Sequence, residues 1–266
     1  AVVRDAVAKL AASPVVEIVR NGGTVGSTSA NEMCVVGTRN TQDDHDDNWT
    51  LIDYSAYRKT GNRIESCWNC PIECGFGEME THPKGPYAGL KINPPEANTV
   101  ITYGCRMDVH DPDYILKCFE LLSRYGLCSD TTGVVIGWAF ECFEKGLLTK
   151  DDTDGLDLTW GNGKAVIELI RKIAYREGSF GNLLAEGCKR ASEVTGKGSI
   201  YYCSHLKGQD NLDTPRSCKA WGLGNNISLR GGRHLDGAPS SEFVDYSPEE
   251  CEKAWGIPTA SEATNY

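Results

Sequence analysis

The chain of 266 residues has no apolar run approaching the roughly 18 to 20 residues of a membrane-spanning helix, and no signal peptide is visible. Basic stretches are missing too, since Asp and Glu outnumber Lys and Arg by 37 to 27 and the net charge is −10. That balance argues against nucleic acid and against a membrane as partners and suits an acidic soluble protein. Strand signals are few, Ser199 to Cys203 being the best candidate, and neither an internal repeat nor a low-complexity tract occurs. A starting methionine is also lacking, and the chain stops on the polar run Ser-Glu-Ala-Thr-Asn, which together predict an internal fragment of a longer protein.

Cysteine, by contrast, is plentiful at 12 residues. Secreted disulfide scaffolds are short and cysteine-dense throughout, which this chain is not. Cys118, Cys142 and Cys188 sit in helical apolar patterns, where a free thiol behaves as a small buried hydrophobe. The expected compartment is therefore a reducing, anaerobic cytoplasm. Three further cysteines crowd into Cys67-Trp68-Asn69-Cys70-Pro71-Ile72-Glu73-Cys74-Gly75. A C-x2-C-x3-C spacing in a loop lets three thiolates converge on one centre, and thiolates are the ligands of iron–sulfur clusters, four to each. Poor helix formers and a proline keep the segment from spacing the thiols around a helix. Zinc, which usually takes two separated thiol pairs or a following histidine pair, and chance crowding are the alternative readings.

Along the chain, Val3, Ala6, Val7 and Leu10 predict a helix over 2–12 ended by Ser13-Pro14, and a second helix spans 15–20 before Asn21-Gly22-Gly23. The charge run Asp43-Asp44-His45-Asp46-Asp47 is expected to be a solvated loop, although its carboxylates around His45 offer ligands for a divalent ion. Pro83, Pro86, Pro94 and Pro95 predict an extended connection without regular structure over 81–95. Asp111-Pro112 is a strong helix start, followed by the stripe Ile115, Leu116, Phe119, Leu122 and a glycine stop at Gly126. Further helices are expected over 132–145, from Val166 through Ile173 to near Gly178, and from a Ser179 cap through Leu183, Leu184 and Cys188 to Thr195-Gly196. The fold class is mainly α, with little strand.

Several segments in consistent order carry a resemblance: the cysteine loop, Pro-Pro-Glu-Ala-Asn-Thr-Val (94–100), Tyr-Gly-Leu-Cys-Ser-Asp-Thr-Thr-Gly (125–133), Ala-Phe-Glu-Cys-Phe-Glu-Lys-Gly-Leu-Leu (139–148), Ile-Ala-Tyr-Arg-Glu-Gly (173–178), Leu-Leu-Ala-Glu-Gly (183–187) and Arg-Gly-Gly-Arg-His (230–234). From about Gly37-Thr38-Arg39-Asn40 to His234 the chain resembles the aldehyde:ferredoxin oxidoreductase family, tungsten-bispterin enzymes with a nearby [4Fe–4S] cluster. The resemblance implies a helical domain over 1–200 carrying the cysteine loop, and over 201–266 the start of a second one, continuing further, with the active-site histidine. Cys67, Cys70 and Cys74 would be cluster ligands, the fourth thiolate coming from beyond Tyr266; in a complete chain Cys105, Cys128 or Cys218 would have to serve.

The family's pterin-touching motif corresponds to Ser123-Arg124-Tyr125-Gly126-Leu127-Cys128, which retains Gly126 and Leu127, accepts Cys128, and departs from the pattern at Ser123. As a plain helix cap the same segment needs no cofactor. His234 matches the active-site histidine, a residue type that exchanges protons near neutral pH. Arg230 and Arg233 beside it are suited to a carboxylate product or a pterin phosphate. Glu96 matches the first of two family glutamates, whereas the water-activating second appears as Asn98, and an amide orients water without accepting its proton. The implied activity is oxidation of a small aldehyde to a carboxylic acid by a tungsten (or molybdenum) bis-pterin, with electrons leaving through the cluster to ferredoxin or another iron–sulfur carrier. Alternatives are a subunit resembling the tungsten subunit of class II benzoyl-CoA reductases, which the change at Asn98 favours, and a non-catalytic electron-transfer module. Some family members bridge two subunits through a metal, so a homodimer stays open.

Overall fold

The computed structural model describes residues 2–26, 31, 34–57, 66–75, 77–212, 214, 216, 218–232, 234–236 and 247–256; Arg233 and the terminal polar run lie outside them. Its helices in chain order are α1 (Val2–Ala11), α2 (Pro14–Gly26), α3 (Tyr54–Tyr57), α4 (Ala97–Tyr103), α5 (Pro112–Tyr125), α6 (Ser129–Glu144), α7 (Gly163–Tyr175), α8 (Gly178–Leu184), α9 (Cys188–Thr195), α10 (Lys219–Ile227) and α11 (Pro248–Trp255). Strand among the described residues is confined to two antiparallel hairpins, β1 (Met79–Glu80) with β2 (Lys91–Ile92) and β3 (His205–Leu206) with β4 (Gln209–Asp210). The expected class, mainly α with little strand, is what is found.

The core is organised by α6, whose residues from Thr132 to Cys142 are all buried. A helix apolar on every side must be covered on every side. Its surface is made approachable by Gly133 and Gly137, one turn apart: a Cβ on Gly133 would lie 1.8 Å from Thr102 Cγ2 of α4, and one on Gly137 would lie 3.0 Å from Arg106 Cδ. Arg106, fully buried, donates to Asn40 Oδ1 at 2.8 Å and to the Leu212 carbonyl at 2.9 Å, and Asn40 donates to Glu141 of α6 at 2.7 Å. A buried charge is tolerated when hydrogen-bonded in this way. Burial pushes the Glu141 carboxyl above its usual range, with the Asn40 hydrogen bond opposing.

α5 follows its sequence signals closely. Asp111 accepts from the amides of Asp113 and Tyr114, and Gly126 closes the helix in the left-handed region at φ 66°. Ile115, Leu116, Cys118 and Leu122 are buried, while Phe119 is half-buried. Elsewhere the structure corrects the expectations. The second helix runs on to Gly26 across a kink at Gly23 (φ 59°, ψ −156°), and α6 begins at Ser129 instead of 132. The proline-rich stretch 81–95 contains β2, recruited by pairing with β1.

The helix expected from Ser179 to Thr195 is two helices, broken at Gly187 (φ 84°), because Asp210, 22 residues onward, accepts the Cys188 amide at 3.2 Å and restarts the helix there. Ser179 is not the cap either; its hydroxyl donates to Asp154 at 2.9 Å. The strand expected at Ser199 to Cys203 is a 3-10 helix, Ser199–Tyr202, fixed by the buried indole N–H of Trp138 donating to the Ser199 carbonyl at 2.9 Å. α1 forms as expected, yet its apolar residues are exposed, Val3 at 77%.

A candidate thiol and histidine site

The cysteine segment forms two tight bends. The Cys70 amide donates to the Cys67 carbonyl at 3.0 Å, with Asn69 in the left-handed region at φ 62°, a conformation that asparagine tolerates better than most residues. Glu73 is left-handed as well, at φ 58°. Cys67 and Cys74 are exposed and Cys70 is half-buried, while Trp68 projects from the tip at 95% exposure. None of the twelve cysteines is in a disulfide.

The segment is held from outside. Arg20, on α2, donates through Nη2 to the Pro71 carbonyl at 2.8 Å and through Nε to the Ile72 carbonyl at 3.2 Å, and its Nε stands 3.4 Å from the Glu73 carboxylate. One guanidinium thus fixes the backbone between the second and third thiols. Beyond the kink on the same element, Thr24 Oγ1 accepts the Ala97 amide at 2.9 Å. Ala97 is the first residue of α4, and Glu96 is its N-cap. The thiol turn and the start of α4 are thus both tied to α2, on either side of its kink. Glu96 is exposed and Asn98 half-buried.

His234 is placed by different neighbours. It begins a 3-10 turn, His234–Asp236, and its ring lies 4.9 Å from that of Trp221 on α10, tilted by 32°. The preceding glycines seat this loop on the β3–β4 hairpin: a Cβ on Gly231 (φ 83°) would come 2.4 Å from the Leu206 carbonyl oxygen, and one on Gly232 2.8 Å from that of Gln209. Arg230 lies 3.7 Å from Asp236, whose carboxyl is held below its usual range by the Ser228 hydroxyl, with burial opposing and Arg230 assisting.

The turn from Ser123 to Cys128 joins α5 to α6. Gly126 and Leu127 amides are donated back to the last turn of α5, Leu127 to the Leu122 carbonyl at 3.0 Å, so those carbonyls are already used for capping. What stays exposed is the Ser123 side chain, the open face of Gly126 and the Cys128 thiol.

Within the acidic run, Asp46 departs from the expected solvated loop. It is buried, and His110 Nε2 lies 2.9 Å from both of its carboxylate oxygens. Burial raises the Asp46 carboxyl, but hydrogen bonds from His110, the Cys105 thiol and the Asn48 amide outweigh it and hold the group below its usual value. The hydrogen bond to Asp46 in turn lifts His110 above its ordinary value, against the effect of burial. Cys105 belongs to this network and Cys218 is fully buried, so neither is placed to complete an exposed cluster. Arg20, Trp221 and the Asp46–His110 pair were missed in the sequence. Their partners lie 13 to 64 positions away, and no local signal marks them.

A cleft of about 430 Å³ between α9 and the β3–β4 hairpin is lined by Glu186, Lys189, Arg190, Glu193, Lys207 and Asp210. Of its charges, Lys189 pairs with Glu193 and Arg190 with Glu186, and no predicted site residue lines it.

The donor chemistry suits an iron–sulfur cluster: three uncommitted thiols within eight positions on one accessible turn, one short of the four such a cluster takes. The three are not drawn together, because among the described residues no group of three or more His, Cys, Asp or Glu is gathered closely enough to hold a metal ion. The turn fits the cluster by ligand type and the closed geometry is not formed.

The described residues thus form a helical body with a thiol turn tied to one helix and a glycine-seated histidine on a separate loop. The family described as aldehyde ferredoxin oxidoreductase, domains 2 and 3, matches residues 1–265, and the chain belongs to that family of oxidoreductases. It is 31% identical over 245 residues to a tungsten-containing aldehyde ferredoxin oxidoreductase of Thermococcus kodakarensis, covering 88% of this chain and 38% of that one. It is 29% identical over 215 residues to the WOR-like subunit of an aliphatic sulfonate oxidoreductase of Pyrococcus furiosus, covering 75% and 33% respectively. Among solved structures, the active-site complex of a benzoyl coenzyme A reductase with 1,5-dienoyl-CoA is similar at a TM-score of 0.51 and 28% identity, over 60% of this chain and 23% of that one. The chain thus spans 33% to 38% of the length of these curated relatives. No helix among the described residues is long and apolar enough to cross a membrane.

Proposed function

We propose that this chain is part of a cytoplasmic tungsten- or molybdenum-pterin oxidoreductase that converts an aldehyde to a carboxylic acid and passes electrons through a [4Fe–4S] cluster to ferredoxin or a similar carrier. The observation that carries this reading is the set of free thiols Cys67, Cys70 and Cys74 in a chain of this family. When bound, the metal-pterin group supplies two-electron chemistry and the cluster conducts electrons singly. Cys67, Cys70 and Cys74 would hold three corners of the cluster. Ser123, Gly126, Leu127 and Cys128 would border a pterin ring with a hydroxyl, a bare backbone and a thiol, and Arg230 would meet a phosphate or carboxylate.

His234, braced by Trp221, would deliver or take up the proton that accompanies oxidation. Glu96, exposed at the start of α4, can accept a proton from water, whereas Asn98 can only orient one. A domain boundary near residue 200, with the thiol turn before it and His234 after it, belongs to the same proposal. The replacement of a glutamate by Asn98, together with the benzoyl coenzyme A reductase likeness, favours ring-reduction chemistry as the second reading.

Metal analysis of the full-length protein purified without oxygen tests the cofactor set. Tungsten or molybdenum with about four iron atoms per chain supports it, and zinc alone rejects it. Dye reduction by aldehydes, compared with that by a cyclic dienoyl-CoA, then separates the two reactions.

A further inference from the structure

We infer that Arg20 is a positioning residue for the cysteine turn, and that its charge raises the reduction potential of the centre the turn holds. The inference rests on the cluster reading above and concerns a residue outside the C-x2-C-x3-C motif. The grounds are geometric. Arg20 is the described side chain that ties the turn to the helical body, with two hydrogen bonds to the Pro71 and Ile72 carbonyls and an ion pair with Glu73, all between Cys70 and Cys74. A planar guanidinium grips two adjacent carbonyls in a way that a lysine ammonium cannot reproduce. The contact spans 51 and 52 positions, so it fixes the turn against α2 and not merely within itself.

α2 has a second anchor. Gly22 and Gly26 pack against the ring of Tyr54, and Thr24 takes the first amide of α4. The thiol turn and the first turn of α4 thus both have a tie to α2, one on each side of the Gly23 kink. Electrostatics gives the sign. A fixed positive charge beside a cluster stabilises the state that has gained an electron, and net charge and hydrogen bonding near the sulfurs are recognised controls of cluster potential. Removing Arg20 takes away that charge and leaves the Glu73 carboxylate unopposed. Both changes favour the oxidised cluster and lower the potential.

The test uses the full-length protein, isolated without oxygen, with Arg20→Gln, Arg20→Lys and Glu73→Gln. The readouts are iron content, the electron paramagnetic resonance of the reduced cluster, its midpoint potential and the rate of iron loss to a chelator. Arg20→Gln is expected to shift the oxidised-to-reduced ratio at fixed potential about tenfold toward oxidised, a fall of about 59 mV for one electron. It should also release iron several-fold faster. Arg20→Lys should hold the potential near wild type but lose iron faster, since it keeps the charge and not the fork. Glu73→Gln should move the potential upward, which keeps the inference testable if Arg20→Gln does not fold. A cluster in Arg20→Gln with wild-type potential and wild-type iron retention overturns the assignment, as does an unmoved or lowered potential in Glu73→Gln. Wild-type protein without iron overturns the cluster reading itself, and the role of Arg20 with it.

Discussion

Replacing His110 by alanine removes both Nε2 contacts to Asp46, each 2.9 Å, from a carboxylate whose side chain is only 3% exposed. Breaking a buried ion pair on one side costs about 3–5 kcal/mol, because the remaining charge keeps its desolvation without its partner. Asp46 retains the Asn48 amide at 2.9 Å and the Cys105 thiol, and His110 is 13% exposed, so the lower end applies, about 3 kcal/mol. Combined with Asp46→Asn in a double-mutant cycle read by urea denaturation, the coupling should be about 2 kcal/mol, well above the 0.2–1 kcal/mol of exposed pairs. The pH dependence has a definite sign. His110 is raised above 6.5, so its contribution is complete below that pH and is lost as pH rises through the higher folded value. Asp46 is lowered beneath 3.8, so its contribution is complete above 3.8 and is lost as pH falls through the lower folded value. The gap between wild type and His110→Ala should be widest between these limits and narrow on the alkaline side. A coupling under about 0.5 kcal/mol, or a gap constant from about pH 5 to 9, would refute the reasoning.

Two substitutions test the packing around α6 and His234. Gly133→Ala gains about 1 kcal/mol of helix propensity but drives a methyl into Thr102, an overpacking cost of about 1–3 kcal/mol, so the melting temperature should fall and adding Thr102→Ser should restore part of it. Gly231→Ala forces a side chain into a left-handed backbone and toward the Leu206 carbonyl, at roughly 1–2 kcal/mol for the backbone alone; amide exchange over 228–236 should accelerate while that of α6 stays unchanged.

Much of the helical architecture was legible because its signals are local. Asp111-Pro112 and Gly126 bracket α5 through contacts within a few residues, and the chain needs nothing distant to read them. The misreadings share the opposite cause. Asp210 splits α8 from α9, Trp138 turns an apparent strand at Ser199 into a 3-10 helix, and His110 draws Asp46 out of a charge run. Each partner lies between 22 and 64 positions away. At the candidate site, three thiols on one segment were visible in the spacing of Cys67, Cys70 and Cys74, because residue type and spacing are local. The hold that Arg20 takes on the Pro71 and Ile72 carbonyls was not, since it spans 51 and 52 positions.

The position of Cys67, Cys70 and Cys74 outside the apolar core has a consequence for maturation. Zinc fingers collapse only around their ion, whereas here Trp138, Phe140 and their neighbours bury themselves with no sulfur from the turn among them. Under the proposed cluster reading, formation of the helical core and filling of the turn are therefore separate events, and protein purified from iron-starved cells should keep its helical circular dichroism while lacking iron.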